Sequence, residues 1–95
     1  MISCDIDGTL IYSELIDGTY HVTGYNTALI HKINALYNSG EIIILHTGRH
    51  WNHFKLTIEQ LKNAGVKYHS IVHGKPPADI YIDDKAVRPD EFLDR

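Results

Sequence analysis

Met1-Ile2-Ser3-Cys4-Asp5-Ile6-Asp7-Gly8-Thr9-Leu10 opens the chain and points to its architecture. Met1 to Cys4 is a short apolar run of the length of a buried strand. Asp5 and Asp7 follow, two residues apart, where that strand should end and a loop begin. Gly8 allows a sharp turn there. Negative charge concentrated at the mouth of a sheet works against folding unless a cation or a reaction makes use of it.

Three further runs of the same kind follow: Ile42 to Leu45, Tyr68 to Val72 and Ile80 to Ile82. Each is short and rich in β-branched residues or tyrosine, which predicts a buried strand. Between the first and second runs, Leu29, Ile33, Leu36 and Tyr37 recur at helical spacing, and Asn38-Ser39-Gly40 stops the pattern. Between the second and third, Trp51, Phe54, Ile58 and Leu61 mark one face of another helix, with Gly65 as its cap. Arg88-Pro89-Asp90-Glu91-Phe92-Leu93 can open a short final helix with Pro89 in its first turn. Strands alternating with helices predict an α/β domain on a mainly parallel sheet of about four strands.

The segment from Leu10 to Val22 breaks this alternation. Asp17-Gly18 is a strong two-residue hairpin signal, flanked by Leu15, Ile16, Tyr20 and Val22. It predicts a flap over about residues 10–22, beside the Asp5/Asp7 loop. The gap is too short for an inserted second domain, so residues 1–95 are expected to form one domain.

Composition narrows the functional classes. The apolar fraction is 43% and the formal charge -3, with acidic and basic residues mixed, which gives no argument for nucleic acid or an anionic membrane surface. No stretch approaches the ~20 apolar residues of a membrane span. No basic region followed by an apolar one marks a signal peptide, so the expectation is a cytoplasmic domain. The single cysteine, Cys4, lies in the first apolar run and is expected to act as a small buried hydrophobe.

The residues that follow each strand carry the chemistry. Asp5 and Asp7 come after the first, His46-Thr47-Gly48-Arg49 after the second, Gly74-Lys75-Pro76-Pro77 after the third, and Asp83-Asp84 after the last. In an open parallel sheet the carboxyl ends of the strands share one edge, and ligands bind there. Four carboxylates at close range suit a hard divalent cation such as Mg²⁺, which keeps room for a phosphate. Thr47 and Lys75 can donate to phosphate oxygens, with Arg49 as a further contact. One aspartate can serve as a covalent nucleophile and another as general acid and base.

These residues resemble a known family. Asp5-Ile6-Asp7-Gly8-Thr9-Leu10 is similar to the DxDGT(L/V) signature of haloacid dehalogenase-like (HAD) phosphatases, and Thr47, Lys75 and Asp83-Asp84 are similar to its later motifs, in family order. The resemblance implies a Rossmann-like, three-layer HAD-type fold with a flap hairpin. It implies Asp5 as nucleophile and metal ligand, and Asp7 as general acid/base offering its backbone carbonyl to Mg²⁺. Asp83 becomes the third metal ligand, with Asp84 a second ligand or orienting partner, while Thr47 and Lys75 hold the phosphoryl group. The second aspartate favours hydrolysis over dehalogenation. Both usual cap positions are empty, so the chain looks like a capless member, with homo-oligomerisation as a way to cover the site. The expected activity is a Mg²⁺-dependent phosphomonoesterase using an aspartyl-phosphate, acting on a small phosphorylated substrate such as a sugar or polyol phosphate.

Blander readings stand beside these. Thr47 can cap the following helix, Arg49 can be a surface arginine at a helix start, and Asp84 can be a solvated neighbour of Asp83. Trp51 fits the core stripe of its helix. The seven histidines show no zinc-ligand spacing, and His46 and His73 are expected near the site edge. As a whole, the chain can also be a non-catalytic interaction or regulatory module on the same fold. A phosphoacceptor receiver domain is ruled against by motif order, because its acidic pair precedes its phosphorylated aspartate.

Overall fold

Three parallel strands carry the site. In the computed structural model, which describes residues 1–74 and 86–94, they are β1 (Ile2–Asp5), β4 (Ile43–Thr47) and β5 (Ser70–His73). Their order among the described residues is β1-β4-β5. Register pairs Cys4 with Leu45, Asp5 with His46 and Thr47 with His73, so Asp5, Thr47 and His73 end at one edge. The expected fourth strand, Ile80 to Ile82, lies outside the described residues, as do Lys75, Asp83 and Asp84.

The hairpin forms where Asp17-Gly18 predicts it. β2 (Ile11–Ile16) and β3 (Thr19–Tyr25) pair antiparallel, and both turn residues have positive φ, 51° at Asp17 and 77° at Gly18. That is the mirror-image turn whose twist matches the strands. The flap runs on to Tyr25, three residues past the predicted limit of Val22.

Two helices follow the expected stops. α1 (Thr27–Asn38) starts at Asn26, whose Oδ1 accepts from the Leu29 amide at 3.3 Å. It ends with the Glu41 amide on the Leu36 carbonyl and the Gly40 amide on Tyr37. α2 (Phe54–Ala64) closes in the same way, Val66 onto Leu61 and Gly65 onto Lys62. The short α3 (Pro89–Leu93) begins at Pro89 as expected and meets α1, where Lys32 Nζ donates to the Phe92 carbonyl at 2.7 Å.

The core is built from Ile6, Leu10 and Ile11 of the first loop and flap, Ile43 and Leu45 of β4, Leu29 and Ile33 of α1, and Leu61 of α2. Burial of each such side chain is worth about 1.5–3 kcal/mol. Cys4 belongs to this cluster, as expected. Trp51 and Phe54 do not. Trp51 is 71% exposed and Phe54 48%, and the buried residues of α2 are Thr57, Gln60 and Leu61. Trp51–His53 form a 3-10 turn, so helical spacing counted from Trp51 does not carry into α2. Among the described residues no helix is long and apolar enough to cross a membrane.

Candidate active site

The loop after β1 is wound around one carbonyl. The oxygen of Ile6 accepts from the amides of Thr9, Leu10 and Ile11, at 3.3, 2.9 and 3.1 Å. Gly8 makes this turn possible with φ 76°, a region costly for residues bearing a Cβ. The winding holds Asp7 at the mouth of the sheet, next to the end of β4.

Asp7 is the centre of a polar cluster. Arg49 donates from Nε to its Oδ2 at 2.9 Å and from Nη2 to its Oδ1 at 2.8 Å. Ser13 Oγ donates to Oδ1 at 2.8 Å, and Thr47 Oγ1 lies 3.5 Å from Oδ2. Ser13 reaches Asp7 from the face of β2 that also carries the buried Ile11, two residues before it.

Arg49 is 1% exposed, which removes the surface-arginine reading. Its Nη1 donates to Thr57 Oγ1 at 3.2 Å and to Gln60 Oε1 at 2.8 Å. Tyr20 of the flap covers the guanidinium, its ring centroid 4.1 Å from the central carbon. Four of the five guanidinium N–H groups are thereby spent inside the protein. A buried cation of this kind needs a carboxylate and a full set of acceptors, and Asp7, Thr57 and Gln60 supply them.

Thr47 is fully buried at the end of β4, and its Oγ1 accepts from the Arg49 amide at 3.0 Å. It therefore ties the loop together and does not cap a helix. The cap of the 3-10 turn is His50, whose Nδ1 accepts from the Asn52 amide at 3.3 Å. Asp5 is half-buried at the end of β1, opposite His46. His46 shares a 2.7 Å hydrogen bond with Ser3 through Nδ1. Beneath the loop, desolvation, helped by the charge of Asp5, pushes the Cys4 thiol from 9.0 up to about 12. The exposed Trp51 and Phe54 line an open hollow with Asn52 and Lys55, and Phe54 reaches the His73 ring at 5.7 Å between centroids.

Two proteins of Vibrio cholerae have similar structures. The first, a structural-genomics target, matches 99% of this chain and 87% of its own, with 26% identity and a TM-score of 0.78. The second is provisionally named a 3-deoxy-D-manno-octulosonate 8-phosphate phosphatase. It matches 77% of this chain and 39% of its own, with 25% identity and a TM-score of 0.52. No protein-family model matches the sequence, and no curated protein matches it. The architecture is thus mixed α/β with a mainly parallel sheet, consistent with a Rossmann-like fold.

Of the residues singled out in the sequence, Asp5, Asp7, Thr47 and Arg49 come together at the strand ends. Lys75, Asp83 and Asp84 lie outside the described residues. Ser13, Thr57 and Gln60 escaped the sequence reading. A signal existed for the last two: Thr57 and Gln60 stand three apart on α2 next to Leu61, polar residues on a helix face that the core covers.

Proposed function

We propose that this chain is a HAD-like, capless phosphatase that hydrolyses a small phosphomonoester, of the sugar or polyol class, through an aspartyl-phosphate. The observation that carries the reading is the meeting of Asp7 with Thr47 and Arg49 across the ends of β1 and β4, in the DxDGT setting of Asp5. The structural likeness to a protein provisionally named a 3-deoxy-D-manno-octulosonate 8-phosphate phosphatase supports phosphate-ester hydrolysis.

An oxygen set drawn from Asp5, Asp7, Asp83 and Asp84 would suit Mg²⁺. The Asp7 side chain is committed to Arg49 and Ser13, which leaves its backbone carbonyl as the oxygen it could offer, together with the Asp5 carboxylate. Asp83 and Asp84 would complete the ligands. Bound there, Mg²⁺ would offset charge on the phosphoryl oxygens.

In this reading Asp7 enters the cycle protonated, an Asp5 carboxylate oxygen attacks phosphorus, and the ester oxygen leaves with the proton from Asp7. Asp7 then accepts a proton from water as that water attacks the aspartyl-phosphate, releasing phosphate and restoring Asp5. Thr47 and Lys75 hold the phosphoryl group, and Arg49 orients Asp7.

The test is hydrolysis of an aryl phosphate and a phosphosugar panel with Mg²⁺. Turnover that disappears in Asp5→Asn is expected. An active Asp5→Asn protein overturns the nucleophile assignment, and no turnover of any phosphomonoester moves the chain to the interaction-module reading.

A further inference from the structure

Gln60 lies on α2, away in sequence from the loop that carries Asp5 and Asp7. It is 8% exposed, and both ends of its amide are used. Oε1 accepts from Arg49 Nη1 at 2.8 Å, and Nε2 donates to the backbone carbonyl of Tyr20 at 2.8 Å. Its neighbours fix the sense of the amide: turned end for end, its NH₂ would face a guanidinium and its oxygen a carbonyl oxygen.

Those two bonds complete a circuit. Asp7 is held by Arg49, Arg49 by Gln60, and Gln60 by Tyr20 of β3. The hairpin returns to Asp7 through Ser13 of β2. The flap thus grips the same carboxylate from both of its strands, directly by Ser13 and indirectly by Gln60 and Arg49. The Tyr20 ring, over the Arg49 guanidinium and edge-on to His53 at 5.2 Å, packs the flap against the β4–α2 connection at this point.

We propose that Gln60 is a positioning residue that couples the seating of the flap to the orientation of Asp7. The proposal rests on the reading of Asp7 as general acid and base. Arg49 has two braces on the edge away from Asp7, Thr57 at 3.2 Å and Gln60 at 2.8 Å. Thr57 is tied to the 3-10 turn before α2, its hydroxyl donating to the His53 carbonyl at 2.8 Å. Of these two braces, Gln60 is the one that joins Arg49 to the flap. When the flap lifts, the Tyr20 carbonyl and the Ser13 hydroxyl leave together, and Asp7 keeps only its contacts to Arg49 and Thr47. Proton transfer to a leaving group is thereby tied to a seated flap.

Two variants separate the links. Gln60→Glu keeps an oxygen for Arg49 but sets another against the Tyr20 carbonyl, so it releases the flap and retains the brace. Tyr20→Ala attacks the same junction from the flap and leaves the buried face of α2 intact, should Gln60→Glu fail to fold. Amide hydrogen exchange across Thr19–Tyr25 is expected to rise about 10-fold in both, with α1 unchanged. With Mg²⁺ present, kcat/KM, which reports the phosphoryl-transfer step and not the shared hydrolysis of the aspartyl-phosphate, should fall about 10-fold more on an alkyl phosphate than on a nitrophenyl phosphate, because only the alkoxide needs the proton on leaving. Equal losses on both substrates, or unchanged exchange in the flap, overturn the proposal. A wild-type protein inactive on both substrates overturns the phosphatase reading instead, and the exchange result still decides whether Gln60 ties the flap to Arg49.

Discussion

Arg49 and Asp7 meet fork to fork, yet they are unequally buried: 1% of the arginine side chain is exposed and 31% of the aspartate. The cation is the member taken out of water, so Arg49 depends on Asp7 for its place in the fold. A residue proposed to perform proton transfer thus also neutralises a buried charge. Catalytic carboxylates are commonly held under strain, and removing one tends to stabilise its protein. Here the opposite sign follows.

Asp7→Ala should lower the unfolding free energy by about 3 kcal/mol, because it leaves an uncompensated guanidinium in the interior. Asp7→Asn keeps an acceptor for Arg49 and should cost less. Urea unfolding of the two variants beside the wild type checks the order. An Asp7→Ala protein as stable as the wild type would mean that Arg49 finds its counter-charge elsewhere.

The parts of this fold that are set locally were legible in the sequence. Asp17-Gly18 specifies its turn whatever surrounds it, and Gly40 and Gly65 close their helices through bonds to residues three to five positions back. The convergence of Asp5 and Thr47 followed from strand order alone. Arg49 was not legible, because its burial depends on Asp7, 42 residues away in sequence, and on Thr57 and Gln60 of a helix turned to face it. Trp51 misled because a 3-10 turn shifts the phase of the apolar pattern before α2 begins. Ser13 was hidden for another reason: alternation places it on the Ile11 face of β2, but the winding of the loop after β1 decides that Asp7 meets that face.

Cys4 should make stability fall at high pH. Its thiol is pushed from 9.0 up to about 12, by desolvation first and by the charge of Asp5 second. Below pH 9 the thiol is protonated in both folded and unfolded chains and contributes no pH dependence. Between the two values the unfolded chain loses the proton and the native protein keeps it. Stability then declines by up to about 1.4 kcal/mol per pH unit. Unfolding measured under reducing conditions from pH 8 to 11 should show this slope in the wild type. Cys4→Ala should lack that component, whatever its baseline stability. Parallel curves for the two proteins would show that the thiol ionises as readily in the fold as outside it.

His69 fills a gap in the sheet, and removing it should loosen the start of β4. The amide of Ile43, a fully buried residue, donates to His69 Nδ1 at 3.0 Å, while the His69 amide donates to the Ile43 carbonyl at 2.9 Å. Side chain and backbone of one residue thus make the pair of bonds a further strand residue would make. The ring also stacks on Tyr37 of α1, with centroids 4.6 Å apart. His69→Ala leaves the Ile43 amide without its acceptor and should cost about 1–3 kcal/mol, with faster exchange at that amide. His69→Asn puts an amide oxygen near the position of Nδ1 and should recover the slow exchange while losing the stacking. If alanine and asparagine exchange alike, the ring stabilises this corner through Tyr37 and the Nδ1 bond contributes little.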